Sequence, residues 1–179
     1  MIKLLSNSTV KNRSIKNNDQ YSTAKNHLRD VVADDLVRFY EHQLDPEANY
    51  MAAFTAKNPS DKEAFLLKWD KILGDNKTIN QTILLDNTVV GHIAQFEQFG
   101  HPEVTYWIEK SHWGKGIATA ALEIFLRIVT LRPLYARAVK DNIGSLRVLE
   151  KCGFVITGED KGFANARQQE VEEYILMLK

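Results

Sequence analysis

The 179 residues are 44% apolar and 26% charged, the balance of one ordinary domain with enough chain to bury a core. Lys plus Arg and Asp plus Glu both total 23, so the formal charge is zero, without the cationic excess that general nucleic-acid binding needs. The single cysteine, Cys152, excludes an internal disulfide framework and a multi-cysteine zinc site; it fits a reducing compartment, the cytoplasm, and no metal is expected.

No apolar run approaches the ~20 residues that span a bilayer, so neither a membrane nor a nucleic acid is an expected partner. Met1–Leu5 is interrupted by Ser6 and Asn7 too soon to form the apolar stretch of a signal peptide. Residues 1–26 carry Lys3, Lys11, Arg13, Lys16 and Lys25 against one acid, Asp19, and read as a polar, basic, mobile tail. A transit peptide is the alternative, but the segment lacks an amphipathic stripe. Residues 27–179 read as a single domain.

Leu28, Val31 and Val32 suggest a first strand. Asp34 and Asp35 then open a helix with Leu36, Phe39, Tyr40 and Leu44 at helical spacing, ended by Pro46. Asn49 to Phe54 is apolar without a period. Ser60-Asp61-Lys62-Glu63 has capping-box form and starts a second helix with Phe65, Leu66, Trp69, Ile72 and Leu73, stopped by Gly74. Strands follow at 79–85 and 88–96 around the turn Asp86-Asn87, and at 104–108. A helix over 116–130 puts Ile117, Ala121, Ile124, Phe125 and Ile128 on one face. Then come a strand at 134–139, a short helix at 145–151, and strands at 154–157 and 171–178. This order predicts an α/β (α+β mixed) fold: a central mixed, mostly antiparallel sheet flanked by helices on both sides.

The most informative stretch runs from Val104 through Trp113-Gly114-Lys115-Gly116 into the helix beginning Ile117-Ala118-Thr119. Glycines after a strand let main-chain N–H groups approach a ligand, and the free N–H groups and dipole of the next helix then face an anion. Lys115 adds a point charge. A phosphate or pyrophosphate site is the physical expectation; the bland alternative is a tight turn. The spacing does not match a Walker A loop, and Thr119 stands where a dinucleotide fingerprint wants glycine or alanine.

Downstream lies Asn142-Ile143-Gly144-Ser145, followed by Leu149-Glu150-Lys151-Cys152-Gly153-Phe154. Together with Tyr106-Trp107-Ile108 and Trp113-Gly114-Lys115-Gly116-Ile117-Ala118-Thr119, this resembles the GNAT N-acetyltransferase superfamily, in the branch similar to the ribosomal-protein N-terminal acetyltransferases. The resemblance is specific over about 89–158. It implies a GNAT fold and an N-acetyltransferase that moves the acetyl group of acetyl-CoA, a cosubstrate, directly to a primary amine of a small molecule or a protein N-terminus. A non-catalytic acyl-CoA-binding domain of the same fold is the alternative, and the chain is expected to be a monomer or homodimer.

The resemblance further implies that N–H groups from Trp113, Gly114, Lys115, Gly116, Ile117, Ala118 and Thr119 cradle the CoA pyrophosphate. It places Trp107 and Ile108 beside the pantetheine arm on a splayed strand, and assigns Asn142 to the pantetheine or sulfur end; a helix N-cap is Asn142's simpler role. The amine must lose a proton before it attacks, and Glu103 is the candidate base, with Glu97, His92 and His101 as competitors. The tyrosine that many members carry in the short helix is Leu149 here, so Ser145, one turn after Asn142, is the candidate donor to the leaving sulfur. Cys152, at a helix C-terminus, reads as packing rather than nucleophile. Tyr50, Met51, Phe54 and Trp69 are candidates for an acceptor wall or for core, and Asp45 and Glu47 for attraction of a cationic amine.

Overall fold

The computed structural model describes residues 26–179, so the tail assigned to residues 1–26 lies, apart from Asn26, outside the described residues. Seven strands form one sheet: β1 (Asn26–Asp30), β2 (Ile79–Leu85), β3 (Thr88–Gln98), β4 (His101–Ile108), β5 (Leu134–Val139), β6 (Val155–Ala164) and β7 (Gln169–Leu178). The spatial order is β1-β2-β3-β4-β5-β7-β6, and every neighbouring pair is antiparallel except β4 with β5. The helices are α1 (Asp35–Gln43), α2 (Pro46–Ala52), α3 (Lys62–Gly74), α4 (Ile117–Ile128) and α5 (Ile143–Lys151). This is the mixed, mostly antiparallel sheet with helices on both faces.

Period-two alternation assigns the faces. Val104 and Ile108 of β4 and Leu134, Ala136 and Ala138 of β5 pack with Ala121, Leu122 and Phe125 of α4 and Leu149 of α5 in the main core. On the opposite face Phe39 of α1 packs with Phe65 and Trp69 of α3, while Ala53 meets Val139, Ala164 and Val171. Trp69 is therefore core, 5% exposed, and no acceptor wall; Tyr50 and Phe54, at 47% and 43%, remain exposed. No helix among the described residues is long and apolar enough to cross a membrane.

Several local expectations change. Pro46 does not end the first helix: α1 stops at Gln43, and Pro46 occupies the first turn of α2, whose N-cap Asp45 accepts from Ala48 N–H at 2.8 Å. Proline's missing donor costs nothing there, so the same residue serves a start as well as a stop. Asn49–Ala52, read as aperiodic, belongs to that helix. In α3 the cap is Asp61 rather than Ser60, accepting from Ala64 N–H at 2.9 Å. β1 ends at Asp30, before Val31 and Val32, while β6 runs to Ala164 and turns back into β7.

Asp35 does more than start α1. Its carboxylate accepts from both Arg29 guanidinium nitrogens at 2.6 and 2.7 Å, from Thr82 Oγ1 at 2.6 Å and from Val32 N–H at 3.0 Å, tying α1 to β1 and β2. Burial pushes its carboxyl up, but these donors outweigh it and hold the group below the usual carboxylate range. A depressed folded-state pKa contributes stability that is present above about pH 4 and lost as pH falls through the folded value. Asp35→Asn is expected to lower stability by about 2–3 kcal/mol at neutral pH and to flatten the acid limb of the thermal-unfolding profile. An unchanged melting curve would contradict this linkage.

Candidate active site

β4 pairs with β3 along its whole length, from Gln98↔His101 to Gly91↔Ile108, yet with β5 it shares one pair, Glu103↔Tyr135. Beyond that pair the two strands part and a gap opens in the sheet. Glu109 N–H donates to Val90 O on the β3 side at 2.8 Å. By alternation Trp107 also turns its main chain toward β3, whereas Ile108 and Tyr106 turn theirs to the gap. Of the two residues that the resemblance assigned to the pantetheine arm, Ile108 turns its main chain to the gap and Trp107 does not. The Trp107 side chain lies on the Glu103 face, its Nε1 buried without a hydrogen-bond partner among the described residues.

After β4 a short 3₁₀ turn, Lys110–His112, leads to Gly114 and Gly116, both left-handed at φ 72° and 76°. Gly116 starts α4 with no side-chain cap, and the first helical bond is Ala120 N–H to Gly116 O at 3.1 Å. The N–H groups of Gly114, Lys115, Gly116, Ile117, Ala118 and Thr119 make no hydrogen bond among the described residues. Trp113 differs: its N–H goes to Lys110 O at 3.1 Å and its indole Nε1 to Ile108 O at 2.8 Å, folding the ring onto the strand end. Six successive main-chain donors at a positive helix end, with open space around both glycines and an exposed Lys115 alongside, suit a doubly charged phosphate chain. The turn before them is pinned by Lys110, which pairs with Asp45 at 3.9 Å and with Glu47. Those two acids are engaged with this loop rather than open to a cationic amine.

Glu103 is buried at the point where the strands part, and its Oε1 accepts from Arg137 Nε at 3.2 Å. Arg137 Nη1 also donates to Asp160 and Glu173, each at 2.9 Å, so one guanidinium gathers carboxylates from β4, β6 and β7. Burial raises the Glu103 carboxyl above its usual range, against the lowering pull of Arg137. The ring of Phe99 covers Arg137, its centroid 4.5 Å from the guanidinium carbon. Of the competitors, His92 lies against Phe39 and Trp69, and burial pushes its pKa down to about 3, useless for taking a proton from an ammonium. His101 stacks on Tyr135 with centroids 4.8 Å apart, and Glu97, next to Phe96, which pairs with Glu103, is exposed.

On the other face Tyr106 reaches across to α5, where its hydroxyl lies 2.8 Å from Ser145 Oγ. Burial pushes the phenol up to about 12, so it stays protonated. Sequence reasoning missed this partner of Ser145, although alternation from Glu103 already turns Tyr106 to the helix side. Asn142 caps α5, its Oδ1 accepting from Ser145 N–H at 3.0 Å, while its Nδ2 donates to Met51 O at 3.1 Å. Leu149, at the position of the missing tyrosine, is 1% exposed in the core.

The acetyltransferase (GNAT) domain model matches residues 27–155, well over half the chain. The chain belongs to the GNAT acetyltransferase family. As a GNAT acetyltransferase it uses acetyl-CoA as donor and transfers the acetyl group to an amine. Among curated proteins it is similar to YdaF of Bacillus subtilis (strain 168), named a "Putative ribosomal N-acetyltransferase", with 28% identity over 139 residues, 70% of this chain and 76% of that one. Among solved structures it resembles Mycobacterium smegmatis RimJ in complex with CoA-disulfide (TM-score 0.72, 20% identity, 86% of this chain and 81% of that one). It also resembles spermidine N-acetyltransferase from Vibrio cholerae in complex with CoA and spermine (TM-score 0.69, 21% identity, 85% and 95%). These two likenesses carry the fold. Within the GNAT frame Cys152 is a packing residue: burial raises its thiol, and its Sγ lies 3.8 Å from Thr119 O. No group of three or more His, Cys, Asp or Glu among the described residues is arranged to hold a metal ion.

Proposed function

We propose that this enzyme acetylates a primary amine, on a small molecule or a protein N-terminus, by direct attack within a ternary complex in the cytoplasm. The observation that carries the reading is the conjunction of the strand gap after Glu103↔Tyr135 with the run of free N–H groups from Gly114 to Thr119. In this reading those groups and Lys115 hold the diphosphate of acetyl-CoA, and the gap-facing main chain of Tyr106 and Ile108 binds the pantetheine arm as an added strand. The acetyl carbonyl then lies in the gap, and the amine arrives from the Glu103 face.

The chemistry assigns each group a step. An ammonium near pKa ~10 must give up a proton, and Glu103, ionised beside Arg137, accepts it. The neutral nitrogen attacks the thioester carbonyl, gap-facing main-chain N–H groups stabilise the oxyanion, and the C–S bond breaks as the nitrogen's second proton passes to the departing thiolate, leaving the amide and the CoA thiol. The departing thiolate, near pKa ~8.5, is too weak a base to deprotonate a hydroxyl poised at about 12. The Tyr106–Ser145 pair therefore donates a hydrogen bond to sulfur rather than a full proton. No covalent enzyme intermediate is needed, in keeping with the half-buried Cys152, whose thiol is raised by its surroundings.

Asp160, Glu173 and Glu103 around the single Arg137 leave the acceptor side short of positive charge, which favours amines carrying a second cation. The test is a screen of polyamines, amino sugars and peptides with free N-termini, following free thiol with acetyl-CoA as donor. Amine-dependent thiol release, with the acetylated product seen by mass spectrometry, is the expected result. Thiol release that ignores the amine would overturn the proposal.

A further inference from the structure

β3 turns into β4 through two residues, Phe99 and Gly100, with Gln98 and His101 paired on either side. Both are left-handed, at φ 51° and 78°, the backbone of a type I′ turn. That turn favours Asn-Gly, Asp-Gly and Gly-Gly, because a positive φ crowds a side chain against its own main chain. Gly100 suits its place. Phe99 does not: a bulky residue there is strained, and burial does not offset the strain, since it is 69% exposed. Strain that the fold leaves uncompensated points to a role beyond the fold.

The Phe99 ring meets Arg137, the cation that Glu103, Asp160 and Glu173 share. The carboxylates take Nε and Nη1, while the guanidinium carbon stands over the ring, 4.5 Å from its centroid, where the π-system attracts a cation. The three bonds are unequal. Those to Asp160 and Glu173 are 2.9 Å and that to Glu103 is 3.2 Å. Asp160 is half exposed and draws the cation toward water, away from Glu103; the ring closes that path, and Arg137 stays 16% exposed. The charged groups that face Glu103 are His101 on its own strand, Arg137 on β5 and Glu173 on β7, with Asp160 of β6 reached through the guanidinium. Burial raises the Glu103 carboxyl most, and Arg137 is the main opposing pull.

We propose that Phe99 is a positioning residue: its ring holds the Arg137 guanidinium against Glu103, so that the carboxylate which accepts the amine's proton keeps its cation, and the turn bears strain to place the ring there. The inference rests on the acetyl-transfer reading in which Glu103 is the base. Without the ring Arg137 settles on Asp160 and Glu173, and the longer bond to Glu103 is the first to break. Glu103 then keeps a proton to a higher pH and serves less well as the acceptor of another.

Phe99→Asn separates function from fold, because Asn-Gly is a favoured pair for this turn. The variant is expected to melt at or above the wild-type temperature and to keep its calorimetric affinity for CoA. The acid limb of its kcat profile should move to higher pH by about 1 unit, which lowers the rate on that limb about tenfold. Phe99→Tyr keeps the ring and should restore the wild-type limb. In a Glu103→Gln background Phe99→Asn should change kcat by no more than about twofold, since the ring then has no base to act through. A lower melting temperature in Phe99→Asn, or an acid limb that stays in place while Glu103→Gln abolishes it, overturns the proposal. A Glu103→Gln enzyme with a near-wild-type rate would instead overturn the reading beneath it, and the proposal with it.

Discussion

Glu103→Gln is expected to lower kcat by about 10²- to 10⁴-fold while leaving CoA affinity intact. Glutamine keeps the shape and can still accept from Arg137 Nε, so the substitution removes the proton acceptor and little else. Arg137 retains Asp160 and Glu173, which protects the strand junction from collapse. The pH profile gives a second, sharper readout. Burial raises Glu103, so the acid limb of the wild-type rate should fall at a pH above the ordinary carboxylate value: activity rises as Glu103 ionises and is lost as pH drops through its raised pKa. In Glu103→Gln that limb should vanish. A variant within threefold of wild type that keeps the limb would assign the proton to another route.

The second large effect belongs to the glycine loop. Gly114 and Gly116 are both left-handed, and a Cβ built on either meets nothing within 4 Å. Substitution there is a backbone matter, not a clash. Each β-branched residue costs about 1–2 kcal/mol to hold in that region, and relief by flipping the loop turns the N–H groups from the anion. Gly114→Val with Gly116→Val is therefore expected to weaken CoA binding by about 30-fold or more in calorimetry, with the melting temperature lowered by several degrees by the same strain while the chain still folds. Undiminished affinity would remove the loop from the site.

Much of this was legible along the chain, and the exceptions share a cause. Strands β2 and β5 and the Asn142 cap of α5 follow from local periodicity and turn chemistry. Pro46 misled because proline both stops a helix and begins one, and only the Asp45 cap decides between them. β6 ran past its expected end because its exposed edge carries Glu159, Asp160 and Lys161 rather than an alternating apolar face. At the site, main-chain features were readable, since glycines and a helix start announce free N–H groups. Side-chain partnerships were not: Glu103 and Arg137 are 34 residues apart, Tyr106 and Ser145 39, Asn142 and Met51 91. Asn142 looked like a ligand group or a cap; its tether to Met51 needs the third dimension.

The central claim is that main-chain amides of 114–119 hold the diphosphate of acetyl-CoA while Tyr106 and Ile108 face its arm. Titrating ¹⁵N-labelled protein with CoA and following amide chemical shifts tests it most directly. The account predicts the largest shifts at Gly114 through Thr119, with Tyr106 and Ile108 next and β1 and α3 unmoved. Saturating shifts centred on another surface, or none at millimolar CoA, would contradict it.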